Sequence, residues 1–326
     1  MIEKDNLTSM RIATRRLHSI IATNRDAANA VEDSLAVTIQ SDESALVISG
    51  DPQPVKLAAE LLKTIDDVFT DTDGLDAHAL GYLSGLNHPV SVTEFASTLS
   101  QPIYVTPKGY SVRLKTIGQK IYMDAILNNE VVLCVGPAGS GKTYLGVAAA
   151  VMAFQKKEVS RIILTRPAVE AGERLGFLPG DLQEKVDPYM RPIYDALKDL
   201  LGFEAFQRYY EKGLIEVSPL AFMRGRTLDD SFILLDEAQN TTIDQMIMFL
   251  TRIGMNSKAC VCGDITQIDL PPGIRNGLSD AVNVLSGIDG IKSVFLSSSD
   301  IVRNPIVQKI VRAYQKDHSE KRRDQS

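Results

Sequence analysis

Tryptophan is absent from this 326-residue chain, cysteine occurs three times, histidine four times, and aromatic residues make up only 6%. Three cysteines, an odd count without metal-finger spacing, exclude a disulfide framework. Cys134 lies in an apolar run, and Cys260 and Cys262 alternate along another, so all three are expected in the core. His18, His78, His88 and His318 are scattered and indicate no zinc site. With so few aromatics, only Phe177, Tyr189 and Phe222 are plausible members of a base-stacking platform. No run of eighteen apolar residues occurs, and no basic N-terminal stretch leads into an apolar one. A soluble, cytoplasmic protein without membrane contact is therefore expected. Lys plus Arg number 35 against 41 Asp plus Glu, a net charge of −6. That balance neither demands nor excludes nucleic acid, because a local basic channel can sit on an acidic protein.

What the chain does have is one strong pattern. Gly136-Pro137-Ala138-Gly139-Ser140-Gly141-Lys142-Thr143 follows the apolar run Val131 to Val135 and leads into the helix-like segment starting at Tyr144. A G-x-x-x-x-G-K-T loop between a strand and a helix is a phosphate-binding P-loop. Its glycines let successive N–H groups curl around phosphate oxygens, and the new helix adds its positive N-terminal dipole. Lys142 supplies a point charge and Thr143 offers a hydroxyl to Mg²⁺, so residues 136–144 are expected to bind a nucleoside triphosphate.

Around this loop the organisation is legible. Two short strands, Ala36 to Ile39 and Ala45 to Ile48, and a helix burying Val55, Ala58, Ala59, Leu62, Ile65 and Phe69 define a small α+β unit over residues 1–70. Residues 71–108, rich in Asp, Gly, Ser and Pro, read as a linker with a short helix. Residues 109–318 form the large domain, and 319–326 a polar tail. Six strands are expected there: 131–135, 161–165, 214–217, 232–235, 259–262 and 293–296. Their near-continuous apolar character suits a doubly wound, mainly parallel α/β sheet covered on both faces, with ligands at the carboxyl ends of the strands.

Two further strand ends carry chemistry. Phe232-Ile233-Leu234-Leu235 runs into Asp236 and Glu237. Asp236 is placed to hold Mg²⁺ and Glu237 to polarise the attacking water. Cys262-Gly263-Asp264-Ile265-Thr266-Gln267 puts a carboxylate and an amide on the same edge, where Gln267 is suited to sensing the γ-phosphate.

The stretches 165–173, 175–181, 184–189, 219–227, 236–242 and 263–271, together with the P-loop, resemble the PhoH family of P-loop ATPases, which are similar to the RecA-like N-terminal core of superfamily 1 helicases. The resemblance spans about residues 115–316. It implies Mg²⁺-dependent ATP hydrolysis, coupling to single-stranded RNA, a hexameric ring and, for some relatives, association with the endoribonuclease YbeY. It also places Gln119 as the residue that reads adenine. The family's N-terminal unit resembles a KH domain, which grips single strands with a GxxG loop. This chain departs from that pattern: its equivalent, Ala22-Thr23-Asn24-Arg25, has no glycine. The KH-like unit is thus degenerate, although Arg15, Arg16 and Arg25 could touch phosphates. Asn276 and Asn304 stand where the family usually has serine and histidine.

Arg166, Arg224 and Arg226 are candidates for nucleic-acid phosphate contacts, with internal ion pairs to Glu170, Glu173 or Asp230 as the alternative. A second RecA-like domain has no room after Leu296, so an arginine approaching the γ-phosphate is expected from a neighbouring subunit, with Arg303 first and Arg252 second. The competing function is an ATP-dependent switch acting on a protein partner. A small-molecule kinase is disfavoured by the water-activating Asp236-Glu237 pair.

Overall fold

The computed structural model describes residues 8–68, 77–85, 101–167 and 182–302, with the isolated Val307. The N-terminal unit runs β1 (Thr8–Ala13), α1 (Leu17–Thr23), α2 (Arg25–Leu35), β2 (Thr38–Ser41), β3 (Ala45–Gly50) and α3 (Pro52–Val68). Its three strands form an antiparallel sheet in the order β1-β3-β2. The helical face expected from sequence is buried at Val55, Ala58, Ala59, Leu62 and Ile65, while Phe69 lies outside the described residues.

The first strand and the first two helices are additions to the sequence reading, and for β1 and α1 the silence has a physical reason. β1 is an edge strand in which only Ile12 is buried, so it lacks the alternation that marks a half-buried strand. α1 has no side-chain cap of its own. Its first N–H groups are taken instead by the carboxylate of Asp66 on α3, which accepts from Arg15, Arg16 and Leu17 at 2.6, 3.1 and 3.0 Å. A cap supplied from about fifty residues away leaves no local signature.

Helix α4 (Ala77–Gly85) supplies the short helix expected in the linker. It meets α2 closely, because a Cβ on Gly81 would come 3.0 Å from the Cβ of Ala30. The Tyr82 hydroxyl accepts from the Ile117 N–H at 3.0 Å, which ties the N-terminal unit to the large domain. A hairpin of β4 (Tyr104–Val105) and β5 (Ser111–Val112) joins residues on both sides of position 108.

The large domain continues with α5 (Ile117–Asn128), β6 (Val131–Val135), α6 (Lys142–Gln155), β7 (Arg161–Arg166), α7 (Leu182–Leu201), α8 (Phe203–Glu211), β8 (Ile215–Pro219), β9 (Ser231–Leu235), α9 (Ile243–Leu250), β10 (Lys258–Gly263), α10 (Gly277–Val284) and β11 (Ile291–Phe295). All six expected strands are present, each within about three residues of its sequence-derived ends. They form one sheet in the order β11-β6-β10-β9-β7-β8. Every neighbouring pair is parallel.

Both faces of this sheet are covered, which is why β6 and β9 are buried at every position. Val132, Leu164 and Leu234 pack in one core with Val147 and Val151 of α6. Leu133, Ile163 and Leu235 pack in the other with Phe249 of α9 and Leu278 of α10. The architecture is the doubly wound, RecA-like α/β core expected from sequence.

All three cysteines are buried free thiols, in keeping with their reading as core residues. The buried Tyr122 hydroxyl lies 2.9 and 3.0 Å from the sulfurs of Cys260 and Cys262. Burial pushes the Cys134 and Cys262 thiols up, away from the reactive thiolate. Among the described residues no helix is long and apolar enough to cross a membrane.

Candidate nucleotide-binding site

Because the strands are parallel, β6, β7, β9 and β10 bring their carboxyl ends to one edge, and the chemistry-bearing residues of the sequence fall there. The loop 136–141 leaves β6 with the Gly136 N–H bonded to the Gly263 carbonyl at 3.1 Å. It enters α6 through Gly141, whose φ of +84° is a left-handed conformation that glycine adopts without strain. The Ser140 hydroxyl closes the loop on the Pro137 carbonyl at 2.8 Å. Lys142 is 8% exposed and donates to the carbonyls of Gly136 at 2.7 Å and Pro137 at 2.9 Å, which leaves one of its three N–H donors for another acceptor.

The loop walls a cavity of about 280 Å³ lined by Ala138, Gly139, Gly141, Lys142, Thr143 and Tyr144 on one side and by Asp236, Glu237, Gly263, Asp264 and Gln267 on the other. Residues chosen from three separate strand ends thus meet in one pocket. At its floor the Thr143 hydroxyl donates to Oδ1 of Asp236 at 2.7 Å. This hydroxyl and carboxylate are hard oxygen donors, and magnesium is commonly held by one or two such groups together with phosphate oxygens and water. The donor set fits the ion. No cluster of three or more metal-ligating side chains occurs among the described residues, so an all-protein metal cage is not what the site offers.

Glu237 has a left-handed backbone, φ +54°, where the chain turns from β9 into a 3-10 turn at Ala238–Asn240. That turn brings in a residue the sequence reading did not single out. Gln239 is 2% exposed and spans two motifs: its amide donates to Oε2 of Glu237 at 2.6 Å, and its carbonyl oxygen accepts from the Asp264 N–H at 3.0 Å. The close approach requires Gly263, where a Cβ would lie 2.9 Å from Oε1 of Gln239 and 2.4 Å from Leu278. Asn276 caps α10 by accepting from Ser279 at 2.7 Å, and its amide donates to the main-chain carbonyl of Gln239 in the same turn.

Asp264 is the carboxylate that the sequence places on this edge. It accepts from the N–H of Ala138 in the P-loop at 3.0 Å, from Thr266, and from the Gln267 amide at 2.6 Å. Burial alone would raise its pKa, but the bonds from Thr266, Gln267 and Ala138 outweigh it and hold the carboxyl below the ordinary range. Its place at a strand end beside Gln267 is legible in the sequence, whereas its bond to the P-loop is not.

Gln119 lies behind the P-loop rather than in the cavity lining. It is 4% exposed, donates to the Ser140 carbonyl at 3.0 Å and accepts from the Lys115 N–H at 2.7 Å. Both ends of its amide therefore hold protein groups. Tyr144 does line the cavity, and its hydroxyl donates to Asp199 at 2.9 Å. Partial burial, followed by that carboxylate, pushes the phenol's pKa upward.

The arginines separate into several cases. Arg226 makes a two-pronged pair with Glu216 at 2.6 and 2.7 Å, a partner the sequence reading did not name. Arg166 binds Asp236 inside the site, again not one of the carboxylates considered. Arg252 donates to the carbonyls of Met248 and Arg226, both at 3.2 Å, which closes its own helix end. Arg224 is exposed next to the 43% exposed Phe222. Arg303, Phe177, Glu170 and Glu173 lie outside the described residues, as does the side chain of Tyr189. The preceding Val302 donates to the Gly139 carbonyl at 2.9 Å, so the chain after β11 reaches its own P-loop. In the N-terminal unit, Arg11, Arg15 and Arg25 face Asp42, Asp67 and Glu32 at 2.7, 3.8 and 3.2 Å. The α1–α2 junction is the single residue Asn24, which caps α2 by accepting from Ala27.

Comparison with known proteins identifies the family. The family described as PhoH-like protein matches residues 111–315. A PhoH-like protein of Bacillus subtilis (strain 168) is 47% identical over 286 residues, covering 88% of this chain and 90% of the relative. One from Mycobacterium tuberculosis (strain ATCC 25618 / H37Rv) is 50% identical over 289 residues, covering 87% and 81%. Among solved structures, the UvsW helicase from bacteriophage T4 matches with a TM-score of 0.37 and 11% identity over 63% of this chain and 66% of that one, a likeness too low to carry an argument.

Proposed function

The chain belongs to the PhoH-like protein family and has the core of a P-loop NTPase, and from that premise we propose that it hydrolyses ATP with magnesium and couples the cycle to single-stranded RNA. The observation that carries the reading is the convergence of Lys142, Thr143, Asp236, Glu237 and Gln267 on one cavity. The Thr143 hydroxyl and the Asp236 carboxylate would hold magnesium, which would supply positive charge against the β and γ phosphates. The P-loop N–H groups orient the phosphates, and Lys142 offers them its remaining donor. Glu237, steadied through Oε2 by Gln239, keeps Oε1 toward an attacking water and takes its proton. Gln267, tethered to Asp264, follows the γ-phosphate from the opposite wall.

Support for RNA comes from Phe222 and Arg224, an aromatic face and a cation exposed together after β8 on the same sheet edge. A ring of subunits, with Arg303 entering a neighbour's site and YbeY as a partner, is part of the same proposal. The protein-switch alternative draws on the N-terminal arginines, three of which already face carboxylates.

The test is ATP turnover with single-stranded RNA, with single-stranded DNA and with neither, across a range of salt. RNA should stimulate turnover, and binding should fall steeply with salt as counterions are released. Lys142→Ala should abolish nucleotide binding and turnover together. Robust turnover indifferent to RNA would favour the protein switch.

A further inference from the structure

Arg166 ends β7 with its side chain 14% exposed, and its guanidinium grips the metal-side carboxylate. Nε and Nη2 donate to Oδ2 of Asp236 at 2.8 and 2.5 Å, and Nη2 lies 3.8 Å from Oε1 of Glu237. The other oxygen of Asp236 is taken by Thr143. The carboxylate assigned to magnesium is thus filled on both sides by protein side chains.

A guanidinium cannot shed its charge in a protein, so it cannot make way for a second cation by deprotonating. Two cations on one nearly buried carboxylate repel at close range, and there is little solvent to screen them. We propose that Arg166 contends with the divalent cation for Asp236, so that the Arg166–Asp236 pair and the magnesium–nucleotide complex are alternative engagements of one carboxylate. Arg166 is then a positioning residue. It keeps Asp236 aimed at Thr143 before metal arrives, sets the magnesium concentration the site requires, and on release remains beside Glu237. This rests on the reading above, in which Asp236 holds the ion. A purely structural arginine would behave differently, because its removal would weaken the metal site along with the fold.

The experiment titrates magnesium into the full chain with a fluorescent ADP, reading nucleotide binding rather than turnover, for wild type, Arg166→Gln and Arg166→Lys. Like charges a few ångströms apart on a nearly buried carboxylate repel by several kcal/mol at most, and a divalent ion feels twice the repulsion of a single charge. Arg166→Gln should therefore lower half-saturating magnesium by about tenfold or more. Arg166→Lys keeps the charge but loses the fork, and should lower it less. Without nucleotide, Arg166→Gln should melt at a lower temperature than wild type, because Asp236 loses its buried partner, and magnesium with ADP should restore more of the loss than it adds to wild type. An unchanged or higher half-saturation in Arg166→Gln overturns the inference. Should that variant fail to fold, an unchanged or higher value in Arg166→Lys overturns it equally. Failure of the wild type to bind nucleotide with magnesium would instead strike the functional reading beneath it.

Discussion

Two buried carboxylates, one in each half of the molecule, are used in opposite ways. Asp66 in the N-terminal unit is 7% exposed and Asp236 in the large domain 2% exposed, so each had to find partners or carry a heavy desolvation cost. Asp66 binds three main-chain N–H groups at the start of α1. Asp236 binds a hydroxyl and a guanidinium, side chains that rotate about their own bonds. A main-chain partner moves only if the helix moves, so Asp66 is committed to the fold. Side-chain partners can exchange for an ion without unfolding anything, so Asp236 is available for chemistry. Burial alone does not separate the two roles, whereas the kind of partner does.

The comparison is sharpened most by the neighbour of Asp236. Glu237→Gln should slow turnover by about 10² to 10⁴-fold while nucleotide binding stays within a few-fold of wild type, a split read from single-turnover rates and nucleotide titration. Near-normal turnover would remove Glu237 from its role and leave the Asp236 edge no more chemical than the Asp66 helix.

Asp66→Ala is the converse. Loss of three bonds to a carboxylate, with the Leu17 N–H left buried, should destabilise the N-terminal unit by about 3 kcal/mol, seen as an early thermal transition. Turnover below that transition should be unchanged. If turnover falls in step with it, the link from Tyr82 to Ile117 makes the two halves one cooperative body and the contrast fails.

The smallest effect belongs to Glu216 and Arg226. The Arg226 hydrogen bonds, opposed by burial and aided by Ser218, hold the Glu216 carboxyl below its ordinary value of 4.5. Because the folded value is the lower one, the pair's contribution is complete above the ordinary value and is lost as pH falls through the folded one. With both side chains 33% exposed, that contribution is about 1 kcal/mol or less. Melting of wild type and Glu216→Gln should differ at neutral pH and converge on acidification. A gap that widens toward low pH would contradict the sign.

Local patterns were enough to locate the P-loop, the six parallel strands and the pair Asp236-Glu237. A glycine-rich loop, an apolar run and a strand end are each written within about ten consecutive residues, and the backbone conformations they require follow from those residues themselves. Partners were another matter. Arg166 reads as a nucleic-acid phosphate contact or a partner of Glu170, Glu173 or Asp230 until β7 and β9 lie side by side and bring it to Asp236, 70 residues along the chain. Asp264 meets Ala138 across 126 residues, and Gln239 becomes a bridge only because Gly263 lets its side chain approach β10. The cap on α1 is as remote, since Asp66 reaches Arg15 over 51 residues. Sequence by itself determined the elements and which of them carry phosphate chemistry. Only the tertiary structure decided which charge faces which, because hydrogen bonds and ion pairs act over a few ångströms and it is the parallel sheet that turns distant positions into neighbours.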